Sequence, residues 1–221
     1  MKYAIILSGG VGSRFGSDMP KQYISVKDKP IILYTIEKFC AVEEIDEIVI
    51  VAAEQWHDQI LRWLQPRAEN KIFKFAVAGS SRQGSILNGL KVCAESGIGN
   101  DDTVLIHDAV RPLVSVKLIK ECLDALKTGE GVMPVLPVVD TIYVSGNGRE
   151  VTDLLNRDTL FAGQAPEGYN LKKYYELNVN CSSELAYMGN MKVKLVEGEI
   201  GNFKITTPSD LTKFERFLEQ E

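Results

Sequence analysis

Histidine is nearly absent from this 221-residue chain; there are two, His57 and His107. Cysteine is sparse too: Cys40, Cys93, Cys122 and Cys181 lie far apart, with no Cys-x-x-Cys pair. These shortages exclude the usual zinc-site spacings and a disulfide framework, so the thiols read as reduced. No apolar run approaches membrane length. The first, residues 3–7, stops at Ser8-Gly9-Gly10 and is too short for a signal-peptide core or a span. There is no block of like charge, no repeat and no low-complexity stretch. Lysine plus arginine is 25 against 30 acidic residues, a formal charge of -5, which argues against a nucleic-acid-coating surface. The expectation is a cytoplasmic chain with neither membrane nor nucleic acid as partner.

What is present is an ordinary globular composition, 45% hydrophobic and 25% charged. The length suits one domain, residues 1–221, with an appendage. Nearly continuous apolar runs at 4–7, 48–52, 73–77, 104–106 and 132–136 predict strands covered on both faces. Between them, helical spacing predicts helices over 30–39, 55–64, 82–94 and 116–126. This alternation implies an α/β fold with a mostly parallel sheet. Two regions break it. Residues 138–160 place a Ser-Gly-Asn-Gly tip between two extended runs, which predicts a protruding hairpin arm. After a strand at 191–196, Thr207 and Pro208 predict the cap and first position of a last helix.

The residues with chemical promise follow predicted strands. The run GGVGSRFG (9–16) comes directly after the first strand; its glycines expose backbone N–H groups to an anion. The spacing of Gly10, Gly12 and Gly16 is one residue too long for the dinucleotide fingerprint. Lys21 follows Pro20 rather than a glycine, so the loop is not a P-loop either. Arg14 within the loop and Lys21 beyond it are cations suited to a polyphosphate whose charge grows in a transition state. Taken alone, such a loop reads first as a glycine-rich turn with solvated cations. Gly79, Ser80, Arg82 and Ser85 follow the third strand, where they suit a base or simply cap a helix. HDAVRP (107–112) follows the fourth; there Asp108 is the candidate Mg²⁺ ligand, Arg111 pairs with it or with phosphate, and His107 reads as packing. Lys204 lies just before the last helix.

Together these islands resemble the CTP-dependent cytidylyltransferases of polyol phosphates, the methylerythritol-phosphate enzymes and their ribitol-phosphate relatives. The matching pieces are GGVGSRFG with MPKQY (19–23), SSRQGS (80–85), HDAVRP, PVVDTIY (137–143), Asn156-Arg157, GQAPEGY (163–169) and NFKITTPSDL (202–211), which run almost end to end. The resemblance implies a Rossmann-like nucleotidyltransferase with a hairpin dimer arm, using Mg²⁺ or another divalent cation. It implies in-line attack of a polyol phosphate on the α-phosphorus of CTP. Arg14, Lys21 and Lys204 would be catalytic. Leu7, Ser8, Gly9, Gly10, Gly12, Gly79, Ser80, Arg82, Ser85, Asp108 and Ala109 would bind CTP. Arg111, Thr141 and Arg157 would bind the polyol phosphate, the last two across a homodimer formed through the 138–160 arm.

Three positions depart from the methylerythritol pattern: Ala165 stands where Thr precedes Pro, Val179-Asn180 where Thr-Asp is usual, and Gly201 where Asp precedes Asn-x-Lys. TIEKF (35–39), VDTI (139–142) and DLLNR (153–157) look more like the ribitol-phosphate branch, although that branch also keeps Thr-Pro. The expected acceptor is therefore ribitol 5-phosphate, giving CDP-ribitol for a teichoic acid or capsule. The alternative is 2-C-methyl-D-erythritol 4-phosphate in isoprenoid precursor synthesis. A UTP-dependent sugar-phosphate enzyme and an idle nucleotide-binding module are the remaining readings.

Overall fold

A computed structural model of the chain describes residues 1–10, 19–65, 71–180 and 189–220. In chain order the elements are β1 (Lys2–Leu7), β2 (Ser25–Val26), β3 (Lys29–Pro30), α1 (Ile31–Cys40), β4 (Glu47–Ala52), α2 (His57–Leu64), β5 (Ile72–Val77), α3 (Arg82–Ala94) and β6 (Thr103–Asp108). There follow α4 (Val116–Leu126), β7 (Gly131–Pro137), β8 (Ile142–Val144), β9 (Asp153–Leu155), β10 (Phe161–Gly163), β11 (Glu167–Asn170), α5 (Leu171–Val179), β12 (Val193–Glu197) and α6 (Pro208–Phe217).

Eight of the described strands form one sheet. β6, β1, β4 and β5 lie side by side and parallel. β1 is flanked on one side by the next large strand of the chain, β4, and on the other by β6, which returns after two crossovers. That reversal of strand order opens a crevice beyond the carboxyl ends of β1 and β6, where open α/β sheets bind ligands. Alternate residues of the central strands enter two cores. Ala4, Ile6, Ile48 and Ile50 pack with Ile36, Phe39, Ile60 and Leu118 on one face. Tyr3, Ile5, Val49 and Val51 pack with Ile86, Leu90 and Tyr174 on the other. Burial on both faces is why these strands read as unbroken apolar runs. In α2, Ile60 and Leu64 are buried as the helical spacing requires, whereas Leu61 is exposed.

The sheet is not parallel throughout. β10 and β11 both run antiparallel to β7, Gly163 opposite Val135 and Gly168 opposite Val132. They act as two halves of one strand interrupted around Gln164–Pro166. β11 also pairs antiparallel with β6, so this segment stands between β7 and the parallel core. β12 pairs parallel with the other edge of β7. The predicted arm is present: β8 and β9 pair antiparallel as a separate ribbon. Its tip is ordered by Asn147, whose Oδ1 accepts from the N–H groups of Arg149 (2.9 Å) and Glu150 (3.0 Å). No described helix is long and apolar enough to cross a membrane.

Candidate active site

A cleft of about 540 Å³ opens at the strand-order reversal. Leu7, Ser8, Gly9 and Gly10 line it from the end of β1, and Lys21 from a single 3-10 turn, Lys21–Tyr23. Gly79, Ser80, Arg82 and Ser85 line it from the β5–α3 junction, Asp108 from the end of β6 and Lys204 from the approach to α6. Eleven of the residues that the sequence singles out thus meet in one place. Gly12 and Arg14 lie outside the described residues.

The backbone explains each placement. Ser8 N–H donates to the Val51 carbonyl (2.7 Å) and Ala109 N–H to the Leu7 carbonyl (3.0 Å), continuing both ladders past the strands. Ala109 is buried behind the wall and does not line the cleft. At the third strand end the backbone crosses itself closely; a Cβ on Gly79 would come within 2.5 Å of the Gly84 carbonyl carbon. Gly79 N–H donates to Ser85 Oγ (3.0 Å), and Ser81 Oγ caps α3 by accepting from Gly84 N–H (3.0 Å). Lys204 is delivered from far along the chain because Ile205, fully buried beside Val26, Ile31 and Phe214, donates its N–H to the Val110 carbonyl (2.9 Å). The helix behind it is fixed by a capping box between Thr207 and Asp210.

Asp108 is the electrostatic centre. Its Oδ2 meets Lys204 Nζ at 3.1 Å and Arg111 Nε at 3.3 Å. Arg111 is held from behind by the Asn202 carbonyl, 2.7 Å from Nη1, and supports the carboxylate rather than lining the cleft. Burial pushes the Asp108 pKa up, but Lys204, Arg82 and Arg111 outweigh it and hold the carboxyl at about 2. Asp108 is therefore an anion at neutral pH. His107, one residue earlier, is fully buried against Phe39 and bonded through Nε2 to the Arg111 carbonyl (3.1 Å). Burial pushes its pKa down to about 4, so it packs as a neutral ring.

Among the described residues no three His, Cys, Asp or Glu side chains cluster as a metal site. Asp108 is the one carboxylate among the described lining residues, and its Oδ1 has no hydrogen-bond partner there. Mg²⁺ is commonly held by one or two carboxylates with phosphates and water completing the shell. A lone ionised Asp beside a phosphate-sized cradle therefore fits that ion.

Sequence reasoning missed Gln22, Ser81 and Val110, which also line the cleft, and Glu167 behind it. Glu167 is a buried carboxylate on β11; Oε1 lies 2.6 Å from Arg82 Nη2 and Oε2 accepts from the Tyr169 hydroxyl at 2.8 Å. Only the register of β11 beside β6 brings it there, and no local spacing signals that. Thr141 and Arg157 are exposed on the arm and line no part of this cleft. Arg157 Nη1 donates to the Val139 carbonyl at 2.8 Å. Of the three departures, Ala165 is buried with its carbonyl accepting from Asn202 (2.6 Å), Val179 is exposed at the end of α5, and Gly201 precedes Asn202; none lines the cleft.

The chain matches the family model described as IspD, 2-C-methyl-D-erythritol 4-phosphate cytidylyltransferase, over residues 2–220. The solved 4-diphosphocytidyl-2C-methyl-D-erythritol synthase of Anaerococcus prevotii superposes with a TM-score of 0.82 at 25% identity, covering 99% of this chain and 98% of that one. The 2-C-methyl-D-erythritol 4-phosphate cytidylyltransferase of Francisella tularensis gives 0.78 at 26% identity, with 97% and 98% covered. The enzyme of that name from Thermus thermophilus shares the fold, with a TM-score of 0.73 at 24% identity and 99% and 100% covered. With a match that runs from the first strand to the last helix, the chain belongs to the IspD family of cytidylyltransferases.

Proposed function

We propose that this enzyme transfers CMP from CTP to 2-C-methyl-D-erythritol 4-phosphate, releasing pyrophosphate. One observation supports the nucleotide half above all: Gly9, Gly10, Lys21, Arg82, Asp108 and Lys204 converge on one cleft from distant parts of the chain. The family match supports this acceptor over the ribitol 5-phosphate that the local motifs favoured.

The chemistry rests on positioning and charge. An acceptor phosphate oxygen forms a new bond to the α-phosphorus of CTP as the bridging oxygen to the β-phosphorus departs with pyrophosphate. Lys21 and Lys204, with Arg14 of the glycine loop, carry the charge that accumulates on the α-phosphate. Backbone N–H groups of the loop hold the remaining phosphates. Gly79, Ser80 and Ser85 face the cytosine. Asp108 is the residue that would hold Mg²⁺, which when bound neutralises phosphate charge. Lys204 exchanges its bond to Asp108 for one to phosphate as the nucleotide enters.

The acceptor's phosphate is assigned to Thr141 and Arg157 of a second subunit, with Arg111 nearby. A homodimer through the arm suits the arm's surface, where Val139, Tyr143, Val151 and Leu154 are all more than half exposed. The chain is read as one domain with that arm, in a cytoplasmic setting that suits Cys40, Cys93 and Cys122 as free thiols. Pyrophosphate release with CTP, UTP, ATP and GTP in turn tests the nucleotide assignment; a strong preference for CTP is expected, and a preference for UTP would overturn it.

A further inference from the structure

Lys21 reaches the cleft from a short turn, and the next two residues tie that turn to the glycine loop. Gln22 is 3% exposed, and its Nε2 donates to two carbonyl oxygens, those of Ser8 at 2.7 Å and Gly10 at 2.9 Å. The Tyr23 hydroxyl is 3.2 Å from the same Ser8 carbonyl and accepts from Ser8 Oγ at 3.0 Å. Tyr23 is itself buried and stacked on Trp56, with ring centroids 4.1 Å apart, which makes the anchor stiff. On the other side the loop abuts the end of β5 so closely that a Cβ on Gly9 would lie 2.4 Å from Ala78 Cβ.

The consequence is electrostatic. A carbonyl turned toward an entering phosphate repels it, whereas an N–H attracts it. In a trans peptide the two groups point in opposite directions. Drawing the Ser8 carbonyl onto Gln22 therefore directs the Gly9 N–H away from Gln22. Among the described residues the N–H groups of Gly9 and Gly10 have no acceptor. A carboxamide suits this task because one neutral NH₂ supplies two donors. A carboxylate in its place would face both carbonyls with like charge.

We propose that Gln22 is a positioning residue for phosphate binding. It turns two loop carbonyls out of the anion's path and locks the Lys21 turn to the loop, so that donors and cation meet the nucleotide as one preset unit. The inference rests on the nucleotide reading of the cleft. Gln22 takes no part in making or breaking bonds.

Calorimetric titration of CTP and of cytidine into the wild-type enzyme, Gln22→Met and Gln22→Glu tests it. Methionine has similar bulk and no donor. Both variants should bind CTP ~10- to 100-fold more weakly while cytidine affinity stays within ~2-fold, because leaving two carbonyls unheld harms phosphate binding and not the base site. For Gln22→Glu the loss relative to wild type should shrink toward about pH 5, where a protonated carboxyl regains one donor. Equal losses for CTP and cytidine, or CTP affinity unchanged in both variants, would overturn the role of Gln22 alone. A wild-type enzyme that fails to bind CTP would overturn the nucleotide reading, and this proposal with it.

Discussion

Lys204 Nζ lies 3.1 Å from Asp108 Oδ2, joining the approach to the last helix to the end of a central strand. The pair keeps a cation in the cleft beside a carboxylate that is ionised at neutral pH. A triphosphate with its counter-ion is the kind of ligand that can take over both partners at once. Lys204→Met should therefore lower kcat by ~100- to 1,000-fold, with a much smaller effect on CTP affinity, since the interaction strengthens as charge builds on the α-phosphate. Single-turnover rates beside equilibrium CTP binding check this; a large loss of affinity with an unchanged rate would place Lys204 in ground-state binding instead.

Lys21 lines the same cleft, from the 3-10 turn Lys21–Tyr23. Lys21→Ala should depress turnover by ~100-fold or more and leave CTP binding within ~10-fold, for the same reason. Steady-state kinetics with both substrates varied will separate the two effects.

Arg82 and Glu167 are expected to act as a unit. Glu167 is buried with each oxygen engaged, one by Arg82 and one by Tyr169. Removing Arg82 leaves a buried carboxylate partly unpaired, and removing Glu167 frees a guanidinium in the cleft. A double-mutant cycle with Arg82→Ala and Glu167→Ala, read on CTP affinity, should show coupling of ~1–3 kcal/mol. Additive losses would separate the two side chains functionally.

His107 gives a pH signature in stability. Its folded pKa of about 4 lies below the ordinary 6.5, so the unfolded chain binds the proton more readily. The folded state is thus fully favoured above pH 6.5 and loses ground as pH falls from 6.5 to 4, by ~3 kcal/mol in all. Urea unfolding of the metal-free enzyme at pH 7 and pH 5 should show this, and His107→Gln, which keeps a donor for the Arg111 carbonyl, should flatten the dependence.

β1, β4 and β6 were legible because burial on both faces forces unbroken apolar runs, and the arm because Ser145 to Gly148 is turn chemistry. β5, which its apolar run predicts to be covered on both faces, stands instead at the sheet edge, with Ile72 and Val77 exposed and Lys74 paired to Glu47. The last helix announced itself through Thr207 and Pro208. The antiparallel insertion was not legible. β11 is four residues long, and Glu-Gly-Tyr-Asn has neither alternation nor β-branching; it is a strand because β6 and β7 hold it on both sides. α5 was missed for a related reason: its lysines and tyrosines give little contrast between faces, and Leu171 and Tyr174 are buried only by the tertiary fold. The tight hairpin of β2 and β3 turns through Lys27 and Asp28, both at positive φ, where no glycine signals the bend. Within the site the glycines and cations were legible as residue types after strands. Gln22 and Glu167 were not, because their roles depend on which backbone or side chain the fold brings alongside.

The acceptor is the central claim, and one comparison tests it most directly: CDP-alcohol formation from CTP and Mg²⁺ with 2-C-methyl-D-erythritol 4-phosphate and with ribitol 5-phosphate, each at limiting concentration. The account predicts that kcat/KM for the methylerythritol phosphate exceeds that for ribitol phosphate by at least ~100-fold, the scale on which a site built to pair a substrate's polar groups discriminates. Equal or greater efficiency with ribitol 5-phosphate would contradict it.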